Sequence, residues 1–400
     1  MTPFGKPPGE FGTVSPAMSF DKATKDSPFL SFTAAEFHKR GSQHRRDLSN
    51  KTAVQRLLKD KTLDGTRIGL PVQHAVLTST QQINPEVLGD RVALKFAHGW
   101  SAKGVMLLER TGPETYFDHM ALREWTLEDI RQRQQGVAGK FARKQPAWIV
   151  EDFLNGAQPG AVPYDYKFYT FQGQIAMVAQ VDRNSSPPRV AMLDGQLRPL
   201  AEGRDYRLKR KDLQPGVALV PRSAVMLSRW AIELSKMTDA PFVRVDLYDG
   251  DTGPVFGEFT FSSGAEHRRT LSHSTAMIDT LDSLFDEAQA SLEADAPGPS
   301  HGWSALLQAA DPAALSSYPE ISLAEYQRYA YFLHNQGSLG GYRLARAQHE
   351  VAAEAELPEV TQSLVAAHRA AGRRVKAQNK TAPLVLRHAA RKAYHRLRKR

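Results

Sequence analysis

The chain has 400 residues, 41% of them hydrophobic, which is enough for a sizeable core spread over two or three domains. It carries no cysteine, so disulfides, thiol nucleophiles and cysteine-bound zinc are excluded together, and a cytoplasmic protein is the natural expectation. The formal charge is +9 but uneven: Arg369–Arg400 holds 12 Lys/Arg and no Asp/Glu, so the rest of the chain carries a net −3 once that +12 is set against the total.

The opening stretch "MTPFGKPPGEFGTVSPAMSF" lacks the apolar core of a signal peptide, and no run approaches the roughly 18–20 apolar residues of a membrane span. Residues 1–48 are rich in Pro, Gly, Ser and charge and read as a mobile arm, ending in a short helix near "TAAEFHKRGSQHRRDLS". "SNKTAVQRLLKDKT" predicts a helix capped by Ser49 or Asn50. "HAVLTST", "RVALKFA" and "GVMLLER" predict strands, "TLEDIRQRQQGVAGKFA" a helix and "AWIVEDFL" an apolar strand ending in acids. "YDYKFYTFQGQIAMVAQVD" alternates and turns at Gln172-Gly173, a hairpin. "SAVMLSRWAIELSKMT" and "STAMIDTLDSLFDEAQASL" are amphipathic helices on either side of a second hairpin. A linker at 293–302 separates this body from a helical, basic region, 303–400. "HGWSA" occurs at His98–Ala102 and His301–Ala305 with unmatched flanks; the second copy predicts a helix start with Ser304 as its cap.

Chemistry gathers in the second hairpin, "FVRVDLYDGDTGPVFGEFTFSSGAE". Strand side chains alternate, so Phe242, Arg244 and Asp246 share one face, and Val243, Val245 and Leu247 the other. By the same rule Phe256, Glu258 and Thr260 oppose Phe259 and Phe261. Asp249–Pro254 is turn chemistry; with Tyr248 opposite Pro254, Arg244 faces Glu258 and Asp246 lies diagonal to it. That charged face is either a solvated set of ion pairs or a magnesium site whose two carboxylates await substrate phosphates.

Three further stretches bear on that choice. Lys95 ends a strand before "AHGWSAKG", where Gly99, Ser101, Lys103 and Gly104 form a loop of small and polar residues able to cradle phosphates. Glu151 and Asp152 end the apolar strand, where a carboxylate can accept from a ribose or an amino group; a core strand simply reaching solvent has the same pattern. Asp165 and Lys167 share a strand face with Tyr169 beyond.

In this order the motifs resemble the ATP-grasp superfamily, and within it the teichuronopeptide biosynthesis TupA-like family. The resemblance lies in "RVDLY…VFGEFTFSSG", "LKFAHG", "IVEDFL", "DYKFYTFQGQI" and "SNKTAVQRLL", and spans roughly Ser49–Ala290. It implies an α+β ATP-grasp fold over 49–292, two α+β subdomains clasping a nucleotide, with a helical C-terminal extension. It implies ATP and Mg2+ as cofactors. Lys51, Lys95 and Lys167 match phosphate-contacting positions, Arg244 a phosphate-binding arginine, Glu151 the hinge, and Asp246 and Glu258 the metal ligands. The backbone at Phe153 and Leu154 would meet adenine. Thr260 stands where many ATP-grasp enzymes carry a metal-binding asparagine, and the TupA-like pattern itself has threonine there. "HGWSAKG" holds less glycine than many relatives.

The reaction the resemblance implies is ligation: an acyl phosphate formed from a carboxylate, then an amide with an amine, on a cell-surface polysaccharide or its precursor. Arg244 and Lys95 would be the catalytic cations. Arg183 and Arg189, in "QVDRNSSPPRVAMLDGQLRPL", are candidates to grip an acidic glycan or peptide carboxylate, and a flexible loop is the other reading. A kinase acting on a sugar hydroxyl and a non-catalytic nucleotide-binding protein are the alternatives. The tail "APLVLRHAARKAYHRLRKR" is basic around a Leu386, Ala390, Tyr394, Leu397 stripe. It reads as contact with the inner, anionic face of a membrane, as a helix packed on the body, or as loose attraction to nucleic acid. No specific nucleic-acid interface is expected.

Overall fold

Ser27 caps the first α-helix. Its hydroxyl accepts from Leu30 N at 3.1 Å, and Pro28 fills the first helical position, where its missing N–H costs nothing, so α1 runs Pro28–Phe37. The computed structural model describes residues 19–20, 22–97, 102–140, 145–262, 264–316 and 320–334, all but His334 within the unit Met1–Leu333. The expected basic tail lies outside the described residues.

From Lys22 onward the expected mobile arm is docked instead. Phe29 is buried against Phe171 and Phe242 (ring centroids 5.9 and 4.9 Å), Ser27 Oγ donates to Asp282 at 2.5 Å, and Lys22 reaches Asp279 and Asp282 at 2.5 and 2.7 Å. Helices α2 (Gln43–Leu48) and α3 (Lys51–Leu58) follow. Asn50 caps α3, accepting from Thr52 N and Ala53 N at 3.1 Å, as one of the two expected residues.

The first sheet contains β1 (Gln73–Leu77), β2 (Arg91–Phe96), β3 (Val105–Gly112), β4 (Thr115–Asp118), β5 (Arg123–Thr126) and β6 (Trp148–Asp152), in the order β1-β6-β2-β3-β4-β5, all antiparallel. Helix α4 (Leu127–Gly139), capped by Thr126, enters between β5 and β6. Val92, Leu94, Phe96, Met106, Leu108 and Val150 face its Leu127 and Ile130. The other face, with Ala93, Lys95, Leu107 and Glu151, takes no part in that core.

The second sheet contains β7 (Asp165–Phe171), β8 (Gln174–Asp182), β9 (Arg189–Asp194), β10 (Gln214–Pro215), β11 (Val243–Gly250) and β12 (Gly253–Thr260), ordered β10-β9-β8-β7-β11-β12. Its pairs are antiparallel except β9 with β10. Gln172 and Gly173 close the β7–β8 hairpin with φ of 44° and 97°, the left-handed pair a tight hairpin needs. Helix α5 (Ala224–Lys236) covers one face: Leu227, Trp230, Ala231 and Leu234 share a core with Val243, Val245 and Leu247 of β11 and Phe259 of β12, as the alternation requires. Between β12 and the long helix α7 (Thr275–Glu293) lie a single turn, α6 (Gly264–His267), and a short strand, Leu271–His273, paired with Tyr206–Leu208.

The 293–302 stretch does not separate two bodies. His301 N donates to Gln174 Oε1 at 2.7 Å, and Leu307 of α8 (Gly302–Ala309) and Tyr326 of α9 (Leu323–His334) enter the core beneath the second sheet. His301, in extended backbone, is the N-cap of α8. Ser304, the expected cap, is buried one turn in and accepts from Ile175 N at 2.9 Å.

Candidate active site

Three neighbouring strands carry the charged rungs. Asp246 stands opposite Lys167 on one side and Glu258 on the other; Arg244 stands opposite Tyr169 and Thr260; Tyr248 stands opposite Asp165. Alternation puts all of these on the face away from α5. The register differs from expectation by one bulge. Leu247 pairs with Phe256 but Asp246 pairs with Glu258, which leaves Gly257 as the extra residue. A Cβ there would lie 3.0 Å from Asp246 O and 3.1 Å from Tyr248 Cε2. Glu258 is therefore directly across from Asp246 rather than diagonal, Thr260 rather than Glu258 faces Arg244, and Phe256 turns into the core.

Asp246 is 2% exposed and doubly held. Arg244 forms a fork to it, Nε–Oδ1 2.7 Å and Nη2–Oδ2 2.8 Å, and Lys167 Nζ meets Oδ2 from the other side. Burial works against the charged form, yet Arg244 and Lys167 outweigh it and hold the carboxyl below the ordinary range. Arg244 is itself held well above its ordinary value: burial opposes its charge, and Asp246 more than offsets that. Lys167 also lies 2.5 Å from Asp165, whose carboxyl is pushed up by burial against the pull of Lys167. Lys51 Nζ comes from the start of α3 to 3.7 Å from Glu258, and Arg244 Nη2 donates to Thr260 Oγ1 at 3.2 Å.

Asp246 and Glu258 are hard oxygen donors on one rung, and the Glu258 side chain is 34% exposed. Among the described residues no group of three or more His, Asp or Glu is arranged to hold a metal ion. The donor set fits magnesium completed by oxygens from a bound phosphate, with Thr260 offering a hydroxyl at the end of the same strand.

The first sheet contributes a different surface. Lys95 pairs with Glu151, which is 2% exposed, so the expected hinge acceptor is engaged by the expected phosphate lysine. Asp152 points to the other face, where Oδ1 meets His74 Nε2 at 2.8 Å and Oδ2 accepts from Val72 N at 3.0 Å. Phe153 sits in a small apolar cluster with Ala93, Leu107 and Val162. A cavity of about 270 Å3 opens beside it, lined by Arg91, Asp152, Phe153, Leu154, Asn155 and the turn of the β11–β12 hairpin. Gly104 has φ +78°, and a Cβ on it would lie 2.7 Å from Phe96 Cβ; Gln134 Nε2 donates to its carbonyl at 3.3 Å. Lys103 is exposed beside it, while Gly99 and Ser101 lie outside the described residues.

Arg183 reaches to 3.8 Å from Asp165, at the edge of the charged rungs, whereas Arg189 turns to Asp182 at 3.5 Å and is 44% exposed. Arg183 lies in the irregular connection 183–188, and Arg189 begins a strand, β9, in the sheet interior. Sequence reasoning missed the brace behind Phe153. The Arg91 guanidinium lies 4.0 Å over its ring, and His119, 5.3 Å from it edge-on, bonds Glu109 at 2.9 Å. Only the register Arg91 opposite Glu109 brings these together, and no local motif announces it.

Two six-stranded sheets, antiparallel but for one short parallel pair, one bearing a Lys95–Glu151 ion pair and the other opposed carboxylates beside arginine and lysine, fit the ATP-grasp fold. The family model described as TupA-like ATPgrasp matches residues 34–278, and the chain belongs to that family. No curated protein matches it. Among solved structures it is similar to the ATP-grasp ligase PsnB complexed with a phosphomimetic variant of minimal precursor, Mg and ADP, at 13% identity and TM-score 0.33, over 62% of this chain and 64% of that one. It is also similar to the D-alanine–D-alanine ligase from Bacillus anthracis, at 12% identity and TM-score 0.36, over 62% and 70%. The ligase of that name from Coxiella burnetii gives 12% identity and TM-score 0.36, over 67% of each chain. This chain thus spans about two thirds of the length of each.

Proposed function

We propose that the protein is an ATP- and Mg2+-dependent carboxylate–amine ligase acting on an acidic glycan or peptide of the cell envelope. The observation that carries the reading is the rung Lys167–Asp246–Glu258 with the Arg244 fork beside it. Asp246 and Glu258 would hold the magnesium ion, which when bound offsets charge on the transferring phosphoryl group. Arg244, Lys167, Lys51 and, from the other sheet, Lys95 would meet the phosphates as fixed cations. Exposed Lys103 and the backbone at Gly104 would cover them. Phe153 and Leu154 would offer backbone to adenine in the hinge cavity, with Glu151 and Asp152 fixing the strand end.

In the reaction proposed, a substrate carboxylate oxygen attacks the γ-phosphorus and the bond to ADP breaks. An amine nitrogen then attacks the acyl carbon, phosphate leaves, and the nitrogen loses a proton. The first step asks for offset of the charge that spreads over the phosphoryl oxygens, which these cations would supply together with the ion, and for no protein nucleophile. No helix among the described residues is long and apolar enough to cross a membrane. The net charge of the tail suits an anionic surface, so the proposal includes a cytoplasmic enzyme held peripherally at the membrane.

The test is to incubate protein, Mg-ATP and panels of uronic acids, glutamyl peptides and amines, with hydroxylamine as a trap. A hydroxamate without amine, and an amide with it, are the expected products by mass. A phosphomonoester would identify a kinase, and nucleotide binding without any turnover a non-catalytic protein.

A further inference from the structure

The side of the second sheet that α5 covers, away from the charged rungs, carries a cavity of its own. It has a volume of about 280 Å3 and opens at the start of α5, with Leu197 from the turn after β9, Val220, Met226 and Trp303 of α8 among its walls. Leu197 and Trp303 belong to the core shared with α5, so the cavity is cut into the edge of that core. Its volume is at the small end for ligand cavities and suits a small metabolite rather than a nucleotide.

The polar groups of the lining are mostly donors. The amides of Arg222 and Ser223 are taken by Asp249, at 2.6 and 3.1 Å. The next three, of Ala224, Val225 and Met226, form the first turn of α5, where no intrahelical acceptor exists, and the Ser223 side chain does not cap them. Those three residues and Ser223 all line the cavity. Ser223 is 1% exposed, and its Oγ lies near Asp249 yet makes no hydrogen bond. Trp303 Nε1, on the α8 wall, is a second buried donor without an acceptor. Buried donors left open cost stability, and an incoming acceptor recovers it.

Among the described residues that line the cavity, Glu320 is the one acid. Its Oε2 lies 3.3 Å from Arg222 Nη1, and Arg222 in turn donates to Ile321 O at 2.9 Å and Asp251 O at 3.3 Å. A carboxylate accepts from several donors, so Glu320 can take a second cation while Arg222 holds it in place.

We propose that this cavity is a binding site for a free apolar α-amino acid. The ligand's carboxylate accepts from the first-turn amides of α5 and from the Ser223 hydroxyl, its ammonium meets Glu320, and its side chain lies against Leu197, Val220 and Trp303. The helix dipole favours the carboxylate at that end. A simple anion would gain the same amides but bring no cation to Glu320, and a residue inside a peptide lacks both charged ends; a free zwitterion satisfies the whole lining. The inference does not rest on the ligase reading, since the site is on the opposite side of the sheet from Asp246 and Glu258.

The experiment is calorimetric titration of the full 400-residue chain, without nucleotide. The probes are L-leucine and L-phenylalanine, with the N-acetyl and the amide derivative of each, which lack one charge apiece. The account expects saturable binding of at least one of the two amino acids, with its blocked derivatives roughly tenfold weaker or worse. Glu320→Gln, at an exposed position, should weaken the amino acid roughly tenfold and leave its N-acetyl derivative unaffected. Ser223→Ala removes a hydroxyl that bonds nothing in the empty protein, so it should fold as the wild type does by circular dichroism and still bind more weakly. No binding of either amino acid, blocked derivatives that bind as tightly as the parent, or an affinity unchanged by Glu320→Gln would each overturn the proposal.

Discussion

Both sheets have six strands, all antiparallel in the first and antiparallel but for one short pair in the second, yet their charged faces are built differently. The second sheet sets Asp165, Asp246 and Glu258 against Lys51, Lys167 and Arg244 across three strands. The first offers one buried ion pair, Lys95–Glu151, beside the apolar cluster of Ala93, Leu107, Phe153 and Val162. The contrast teaches a division of labour within the proposed site. Balanced charge can exchange partners when a metal and phosphates arrive, since each acid already sits with cations that can turn to phosphate. An apolar patch beside a cavity suits a flat base instead.

Substitutions in the first sheet should therefore act on nucleotide affinity and leave the metal requirement alone. Lys95→Met should have the largest effect. It strands Glu151 in the interior, and breaking a buried pair costs about 3–5 kcal/mol, readable by urea unfolding, with nucleotide affinity falling in parallel. A changed magnesium requirement instead would erase the distinction between the sheets. Phe153→Ala should cost about 3 kcal/mol and raise KM for ATP more than it lowers kcat.

In the second sheet the sharpest small change is Gly257→Ala. The added methyl crowds Asp246 O and Tyr248, so about 1–2 kcal/mol should be lost, and the magnesium dependence should move, because the bulge sets Glu258 opposite Asp246. An unchanged metal requirement would show that the register matters less than argued.

The smallest effect is expected from Asp118 in the first sheet, fully buried, with Oδ1 accepting from Leu107 N and Met120 N. Burial lifts its carboxyl above the ordinary 3.8 despite those hydrogen bonds. The folded state then binds the proton more readily than the unfolded state does, so stability from this group rises as pH falls from its folded value to 3.8 and is lower above it. Asp118→Asn should flatten that slope in thermal denaturation followed against pH.

What the sequence disclosed follows the reach of its signals. Period two placed Arg244 and Asp246 on one face and Val243, Val245 and Leu247 on the α5 core, because alternation is local. It failed at Gly257, since a bulge moves the pairing without changing the pattern, and so Phe256 was assigned to the wrong face. Strands β4 and β5 escaped because "TYFD" and "REWT" are too short to show a period, and their partners supply the order. Ser185-Ser186-Pro187-Pro188 disguised β9 as loop. Ser27 with Pro28 was a legible helix start that the Pro- and Gly-rich surroundings hid. The brace of Arg91, Glu109 and His119 had no sequence signal, because it depends on cross-strand register and on a ring, Phe153, far along the chain.

The central claim is that Asp246 and Glu258 form the magnesium half of a nucleotide site. The direct measurement is calorimetric titration of the full chain with ATP, with and without magnesium, repeated on Asp246→Asn and Glu258→Gln. The account predicts that the wild type binds Mg-ATP more tightly than ATP alone, and that both variants, folded by circular dichroism, lose that difference. Magnesium-dependent binding that persists in both variants, or no Mg-ATP binding by the folded wild type, would contradict it.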